Sequence, residues 1–401
     1  MEKKTLQKRS FLPALCFFFF LSVIWHPCVA LAQPQERTDV SADSLIEAPY
    51  GVLMEASTGQ VIYEKEKDTQ RSPASITKIM TLILIFDALE EGSVHMDDLV
   101  TTSAYAKSMG GSQVFLEEGE QQTVETLIKC IVIASGNDAS VAMAEHLAGS
   151  EQEFVKKMNA RAKELGMENT HFEDCCGLTE SENHYTTAYD VALMSRELVT
   201  RYPKILEYSS VWMDTMTHVT RQGESEFGLT NTNKLIRSYE GCVGLKTGST
   251  SIAKYCVSAV AQRDGITLIS VVMAAPDYKV RFKDAAAMLN LGFSKCRIYQ
   301  DENKETLPEI PVKGGVREEV SCEYKGSFTY LDTNGASLEG ITKEVTLPEE
   351  TEAPVKKGET AGKAVYYLDG KVIGEMPVLF SEDVKEAGFF DCLKKAAEEL
   401  F

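Results

Sequence analysis

The 401-residue chain has no C-x-x-C pair, no internal repeat and no low-complexity tract, and it is short of positive charge, with 41 lysines and arginines against 60 aspartates and glutamates. Without paired cysteines it lacks the usual spacing for a zinc site or a thiol redox centre. The net charge of −19 argues against nucleic acid or another polyanion as a partner. Eight of the ten cysteines lie beyond residue 32, at Cys130, Cys175, Cys176, Cys242, Cys256, Cys296, Cys322 and Cys392. Several fall in apolar runs and read as core thiols, and none is assigned to a disulfide.

Residues 1–32 stand apart from the rest. Lys3, Lys4, Lys8 and Arg9 precede an apolar run from Phe11 to Trp25, which is short for a membrane span, and Ala30-Leu31-Ala32 follows. This pattern predicts a secretory signal peptide cleaved after Ala32, and therefore an exported protein acting at the cell wall or the outer face of the cytoplasmic membrane. Its removal takes four basic residues and one acidic residue and lowers the net charge to −22. Residues 33–47 read as a polar, proline-bearing linker.

Apolar residues make up 44% of the chain, enough for a large core and two domains. Tyr50 to Tyr63 reads as a β-hairpin. Thr123–Ala134, Ala139–Leu147, Glu151–Leu165 and Thr187–Arg201 carry helical patterns. Three runs rich in β-branched residues follow, Cys242–Ser249, Tyr255–Ala261 and Ile266–Ala274, and a closing helix is expected over Arg281–Leu291. The expectation for residues 48–299 is an α+β domain whose sheet joins strands from both ends of that segment. Prolines punctuate short strand-like runs over residues 300–383, which predicts a small all-β domain. Residues 384–401 read as an amphipathic helix with Phe389, Phe390 and Leu393 on one side.

The segment from Arg71 to Phe86 carries the first chemical signal. Ser72 is expected to cap a helix that takes Pro73 in its first turn and stops at Gly92, and Ile79 to Phe86 is too apolar for a surface helix. Ser75 and Lys78 lie three residues apart on one face. A serine hydroxyl needs a base to become a nucleophile, and a lysine in apolar surroundings can lose its own proton and serve. The S-x-x-K spacing alone is weak, because it recurs at Ser251-Ile252-Ala253-Lys254.

Acylating a serine also requires a proton donor for the leaving amine, a group to orient the substrate amide and a cation for a terminal carboxylate. Ser135-Gly136-Asn137 offers a hydroxyl and a side-chain amide, although Ser181-Glu182-Asn183 has the same loose form. Lys246-Thr247-Gly248 is the sole Lys-[Ser/Thr]-Gly of the chain. It supplies charge, a hydroxyl and a residue against which substrate backbone can lie.

Three such motifs in this order are a known set in penicillin-binding proteins and class A β-lactamases. From about Ala48 to Phe293 the chain resembles the serine-type D-alanyl-D-alanine carboxypeptidases, the low-molecular-mass penicillin-binding proteins. The motif forms Pro73-Ala74-Ser75-Ile76-Thr77-Lys78 and Ser135-Gly136-Asn137-Asp138-Ala139 carry this, with Gly177-Leu178 and Asn231-Thr232-Asn233-Lys234-Leu235. The resemblance implies a β-lactamase/transpeptidase-like domain, an antiparallel sheet flanked by a helical region, followed by the small β domain. It implies Ser75 as nucleophile, Lys78 as general base and Ser135 in proton transfer. Asn137, Lys246, Thr247, Gly248, Ser249 and Arg281 would bind substrate, and the amides of Ser75 and Ser249 would meet the oxyanion. Neither a metal nor an organic cofactor is required. The implied partners are a peptidoglycan stem peptide, β-lactams as inhibitors and, through the last helix, a membrane surface, although the charges of that helix give no cationic face. Asp174-Cys175-Cys176 departs from the family pattern and leaves the loop beside the site open.

Two rival readings remain at this stage. A β-lactamase of the same fold would need a second base, usually in an E-x-x-L-N loop, and no such word occurs between Ser135 and Lys246; Glu168 and Glu173 are the first alternatives. A non-catalytic wall-associated scaffold would not require nucleophile, base and carboxylate-binding residues together.

Overall fold

The computed structural model describes residues 45–398. The expected signal peptide, most of the linker and the last three residues lie outside the described residues. The chain runs β1 (Tyr50–Glu55), β2 (Val61–Lys65), a 3-10 turn (Ala74–Thr77), α1 (Lys78–Glu90), β3 (Leu99–Thr101), α2 (Ala104–Lys107), β4 (Gln121–Thr123) and α3 (Val124–Val132). Next come α4 (Asn137–Ala148), α5 (Glu151–Glu164), α6 (Ala188–Arg201), α7 (Ile205–Ser209), the hairpin β5 (Met213–Thr220) and β6 (Gly223–Thr230), and α8 (Leu235–Ser238). Three long strands, β7 (Cys242–Thr250), β8 (Lys254–Arg263) and β9 (Ile266–Ala275), lead into α9 (Tyr278–Lys295).

Five of these strands form one antiparallel sheet in the order β2-β1-β9-β8-β7, so the first hairpin joins strands that follow it by some two hundred residues. The alternation of β9 divides its side chains between two cores, because successive strand residues face opposite sides. Ile269, Val271 and Met273 join α1, α3, α4 and α6 in the larger core, while Leu268 and Val272 pack with Met288 and Leu289 of α9. β7 is an edge strand of this sheet, and it lies against the 3-10 turn that carries Ser75.

As its composition requires, α1 is buried nearly all round. Ile79, Met80, Leu82, Ile83, Ile85 and Phe86 are all inside, each contributing about 1.5–3 kcal/mol on burial. That is enough to hold Lys78 at the helix start in a place where an ammonium is poorly solvated. Gly92 follows the helix with φ +70°, the left-handed stop expected of it.

Five expectations need correction. Ser72 is not a helix cap: the chain first makes a 3-10 turn entered from Pro73 without a side-chain cap, and the α-helix starts only at Lys78. The end of the segment read as linker is packed, because Ile46 is buried and its carbonyl accepts from the Lys65 ammonium at 3.0 Å. The closing helix is longer than Arg281–Leu291, since Asp277 caps it through the amides of Lys279 and Val280. The helix expected over Ala139–Leu147 starts two residues earlier, so Asn137 opens α4. The final helix does not begin at residue 384. Val384 still pairs with Val355, and the helix α10 spans Phe389–Glu398.

The second domain is all β. It comprises β10 (Arg297–Asp301), β11 (Ile310–Lys313), β12 (Glu319–Val320), β13 (Cys322–Tyr324), β14 (Phe328–Asp332), β15 (Thr342–Thr346), β16 (Thr351–Glu352), β17 (Thr360–Leu368) and β18 (Lys371–Phe380). β10 pairs with β14, so the first strand of this domain straddles residue 300. The rings of Phe328 and Tyr366 stack at 3.7 Å in its core. Among the described residues, no helix is long and apolar enough to cross a membrane.

Candidate active site

Ser75 sits in the 3-10 turn and Lys78 is the first residue of α1, so the three-residue spacing brings their side chains together. The Lys78 ammonium donates to Ser75 Oγ at 3.0 Å, to Asn137 Oδ1 at 2.6 Å and to the Cys176 carbonyl at 2.8 Å. The turn is strained, with Ala74 at φ +48°. Two glycines make room for it. A Cβ on Gly177 would come within 1.8 Å of the Ala74 carbonyl oxygen, and one on Gly248 within 2.7 Å of the Pro73 carbonyl oxygen.

The second and third motifs close the site from two sides. Ser135, itself at φ +64°, receives a hydrogen bond from the Lys246 ammonium at 2.9 Å. Asn137 uses both ends of its amide, accepting from Lys78 and donating through Nδ2 to the Gly110 carbonyl at 2.7 Å. Thr247 donates to the Thr232 hydroxyl at 2.7 Å, and Asn233 ties the segment before α8 to β7 by donating to the Gly244 carbonyl at 2.8 Å. Arg281 reaches β7 and β8 from α9, donating to the carbonyls of Gly248 and Cys256 at 3.2 and 3.3 Å. Among the described residues, its Nε is buried without a partner. Ser75, Lys78 and Asn137 thus form one hydrogen-bonded group and Ser135 and Lys246 a second, with Thr247, Gly248 and Ser249 following Lys246 along β7.

Both lysines are fully enclosed, and the consequences are electrostatic. Burial pushes the Lys78 ammonium below the ordinary lysine range, against a smaller opposing pull from neighbouring groups that include Asp174 and Asp138. Burial pushes Lys246 down further, and the positive charges of Lys78 and Arg281 add to the effect. Among the described residues, no carboxylate is a hydrogen-bond or ion-pair partner of Ser75, Lys78, Ser135 or Lys246.

The loop that departs from the family pattern has a definite job. Asp174 accepts from the amides of Cys176 at 2.8 Å, Thr179 at 2.7 Å and Gly177, which turns the chain so that the Cys176 carbonyl faces Lys78. His184 buttresses the same wall. Its Nδ1 accepts from the Glu173 amide, which leaves Nε2 to donate to Thr77 Oγ1 at 2.8 Å. Sequence reasoning met Asp138, Cys176 and Thr232 only inside longer words and gave them no role, and it gave none to Gly110 or His184. Most act through backbone groups or structural hydroxyls that leave no motif.

The two look-alike motifs are surface turns. Ser251 bonds Glu180 at an exposed position between β7 and β8, and the Ser181 hydroxyl accepts from the Asn183 amide. Glu168 and Glu173 are exposed. All eight cysteines from Cys130 onward are free thiols. One group of metal-ligand type, Glu151, Asp174 and Cys176, brings its donor atoms within 4.8 Å of one another. It is accounted for without an ion: Glu151 accepts from the Cys175 amide and the Tyr105 hydroxyl, and Asp174 is committed to the loop amides.

With this geometry established, comparison with known proteins is decisive. The family model for D-alanyl-D-alanine carboxypeptidases matches residues 36–277, and the model for the C-terminal domain of penicillin-binding protein 5 matches residues 293–386. D-alanyl-D-alanine carboxypeptidase DacF of Bacillus subtilis is 43% identical over 370 residues, which span 92% of this chain and 93% of that one. The chain belongs to the D-alanyl-D-alanine carboxypeptidase family. Escherichia coli DacA is another carboxypeptidase relative, 32% identical over 90% of this chain and 91% of its own. The two-domain architecture is shared with penicillin-binding protein 5 of Haemophilus influenzae, at a TM-score of 0.65 and 30% identity over 85% of this chain and 98% of that one. This carboxypeptidase-family chain therefore has both the catalytic and the C-terminal β domain of its relatives.

Proposed function

We propose that the protein is an exported serine peptidase of cell-wall biogenesis that removes the terminal D-alanine from peptidoglycan stem pentapeptides and is covalently inhibited by penicillin. The observation that carries this reading is the contact of 3.0 Å between Ser75 and a lysine whose burial favours its neutral form. Neutral Lys78 takes the Ser75 proton as Oγ attacks the carbonyl of the penultimate D-alanine. The amides of Ser75 and Ser249 receive the oxyanion. Collapse of the tetrahedral intermediate breaks the peptide bond, and Ser135, in contact with Lys246, passes a proton to the departing amine. Water then hydrolyses the acyl-Ser75 ester.

Binding follows from the same contacts. The substrate carboxylate meets Lys246 and Thr247, and a carboxylate there favours the charged form of a lysine that burial otherwise disfavours. Arg281 supports this from behind the strand through the Gly248 carbonyl. Asn137 positions Lys78, and its Oδ1 keeps a second lone pair for a substrate amide. Ser75→Ala is expected to abolish both covalent penicillin labelling and D-alanine release while the protein stays folded. Retained labelling would move the nucleophile elsewhere.

Location is part of the proposal. Residues 1–32 direct export, and α10 is the candidate for contact with a membrane surface, since Phe389, Phe390 and Leu393 are exposed. Fractionating cells that express the chain with and without residues 389–401, which leaves the Val384–Val355 pairing in place, tests this. Equal membrane content in the two would end the anchor reading.

A further inference from the structure

Lys234, Arg237 and Lys279 are exposed cations whose side chains make no hydrogen bond or ion pair among the described residues. The Lys234 ammonium lies over the Tyr278 ring, 5.1 Å from its centroid, and the Lys279 ammonium lies over the same ring at 5.8 Å. Arg237, three residues beyond Lys234, covers the Trp212 ring at 5.3 Å. Like charges that share a ring or stand one helical turn apart repel each other. The carboxylate next to them in sequence, Asp277, is used to cap α9, accepting from the amides of Lys279 and Val280 at 2.6 and 3.0 Å. In a chain of net charge −19, this patch is a local excess of positive charge.

The backbone ties the patch to the third motif from two directions. Lys234 stands two residues after Thr232, whose hydroxyl accepts from Thr247 at 2.7 Å. Tyr278 and Lys279 open α9, and Arg281 in the same first turn donates to the Gly248 carbonyl at 3.2 Å. Two residues of chain span about 7 Å at most. A charge is felt over about 8 Å at physiological ionic strength and over about 30 Å at about 0.01 M salt. The patch can therefore act through its field on an anion approaching Thr247, with no contact once that anion is bound. Lys246 is poorly placed to do this itself, because it is enclosed and burial disfavours its charged form.

We propose that Lys234, Lys279 and Arg237 draw the substrate carboxylate toward Lys246 and Thr247, against the repulsion of a chain that is negative overall. The proposal rests on the carboxypeptidase reading above, which supplies the anion. Exposed cations beside a site raise the local concentration of an anionic substrate. Their effect falls on KM and on the second-order constant for acylation, and kcat is left unchanged.

The test follows acylation by benzylpenicillin, and D-alanine release from Nα,Nε-diacetyl-L-Lys-D-Ala-D-Ala, at about 0.01 M and about 1 M salt. Each probe carries a carboxylate as its only charge. The double variant Lys234→Gln with Lys279→Gln is expected to acylate about fourfold more slowly than wild type in the low salt, with kcat for D-alanine release unchanged. In the high salt, where the screening length falls to about 3 Å, variant and wild type should acylate at the same rate. Lys234→Arg with Lys279→Arg keeps both charges and should keep the wild-type salt dependence. Equal rates for the glutamine variant and wild type in low salt would overturn the steering. So would a loss of the same size in both salts, which would assign the two lysines a structural role. A wild-type protein that neither binds penicillin nor releases D-alanine would overturn the carboxypeptidase reading and the steering with it.

Discussion

Gly248 and Ser75 lie so close that strand β7 could not carry a side chain beside the nucleophile: a Cβ on Gly248 would come within 3.0 Å of the Ser75 amide nitrogen. The obstacle would be backbone on both sides, the Ser75 amide and the Pro73 carbonyl, and neither can swing aside as a side chain can. Gly248→Ala should therefore push the strand off the turn while leaving the remote cores intact. A displacement approaching 1 Å at a reacting centre can cost on the order of 100-fold in rate. Stopped-flow acylation by penicillin should show a loss of that size, with little change in far-UV circular dichroism. Acylation at the wild-type rate would mean that the turn and strand are looser than this contact implies.

The enclosed base predicts a pH profile. Burial lowers the Lys78 pKa, so the neutral form becomes populated at a lower pH than for an ordinary lysine. The rate constant for acylation should rise with pH through the lowered value and level off above it. Lys78→Arg should lose activity at every pH tested, because arginine does not deprotonate in this range. A wild-type profile that rises only near the ordinary lysine value of about 10.4 would contradict the enclosed base.

Much of this was legible in residue order, and the remainder was hidden for identifiable reasons. The buried α1 could be read because a run from Ile79 to Phe86 leaves no polar face. Ser75, Lys78, Ser135, Asn137 and Lys246 could be picked out because they fall in three short motifs whose spacing persists in sequence. The β5–β6 hairpin was missed because most of its side chains are exposed and polar, which leaves little of the apolar alternation that marks a half-buried strand. The 3-10 turn before α1 depends on contacts with Gly177 and Gly248, one about a hundred residues away and the other more distant still. No local signal announces it. The Cys176 carbonyl that faces Lys78 is a backbone group and would be the same for almost any side chain.

Asp174 links stability to the site. Burial alone would raise its pKa, but His184 nearby and the amides of Thr179, Gly177 and Cys176 outweigh it and hold the carboxyl below the usual value. A carboxyl lowered on folding contributes stability that is present above its unfolded pKa and lost as pH falls through the folded one. Asp174→Asn should therefore reduce the melting temperature at neutral pH and flatten its decline in acid, and it should slow acylation by loosening the loop that holds Lys78. Hydrogen bonds to a charged group contribute roughly 1.5–3 kcal/mol, so a shift of several degrees is expected. Wild-type stability and acylation in the variant would remove the loop from the account.

The central claim is that Ser75 is acylated and that the site has no second base to clear a β-lactam quickly. On the proposed mechanism a stem peptide and a penicillin would both present a carboxylate to Lys246 and Thr247 and a carbonyl to Ser75, so acylation would be shared. Their fates then differ, because D-alanine departs and admits water, whereas the opened β-lactam keeps its leaving group tethered beside the ester. Among the described residues no carboxylate hydrogen-bonds or ion-pairs with Ser75 or Lys78, and Glu168 and Glu173 are on the surface. The most direct measurement is mass spectrometry of the protein after mixing with penicillin, with D-alanine release from a D-Ala-D-Ala peptide assayed on the same sample. The expected result is a penicilloyl adduct on the peptide containing Ser75 that persists for many minutes, together with free D-alanine from the peptide substrate. Rapid turnover of penicillin with the peptide left intact would contradict the account and identify a β-lactamase.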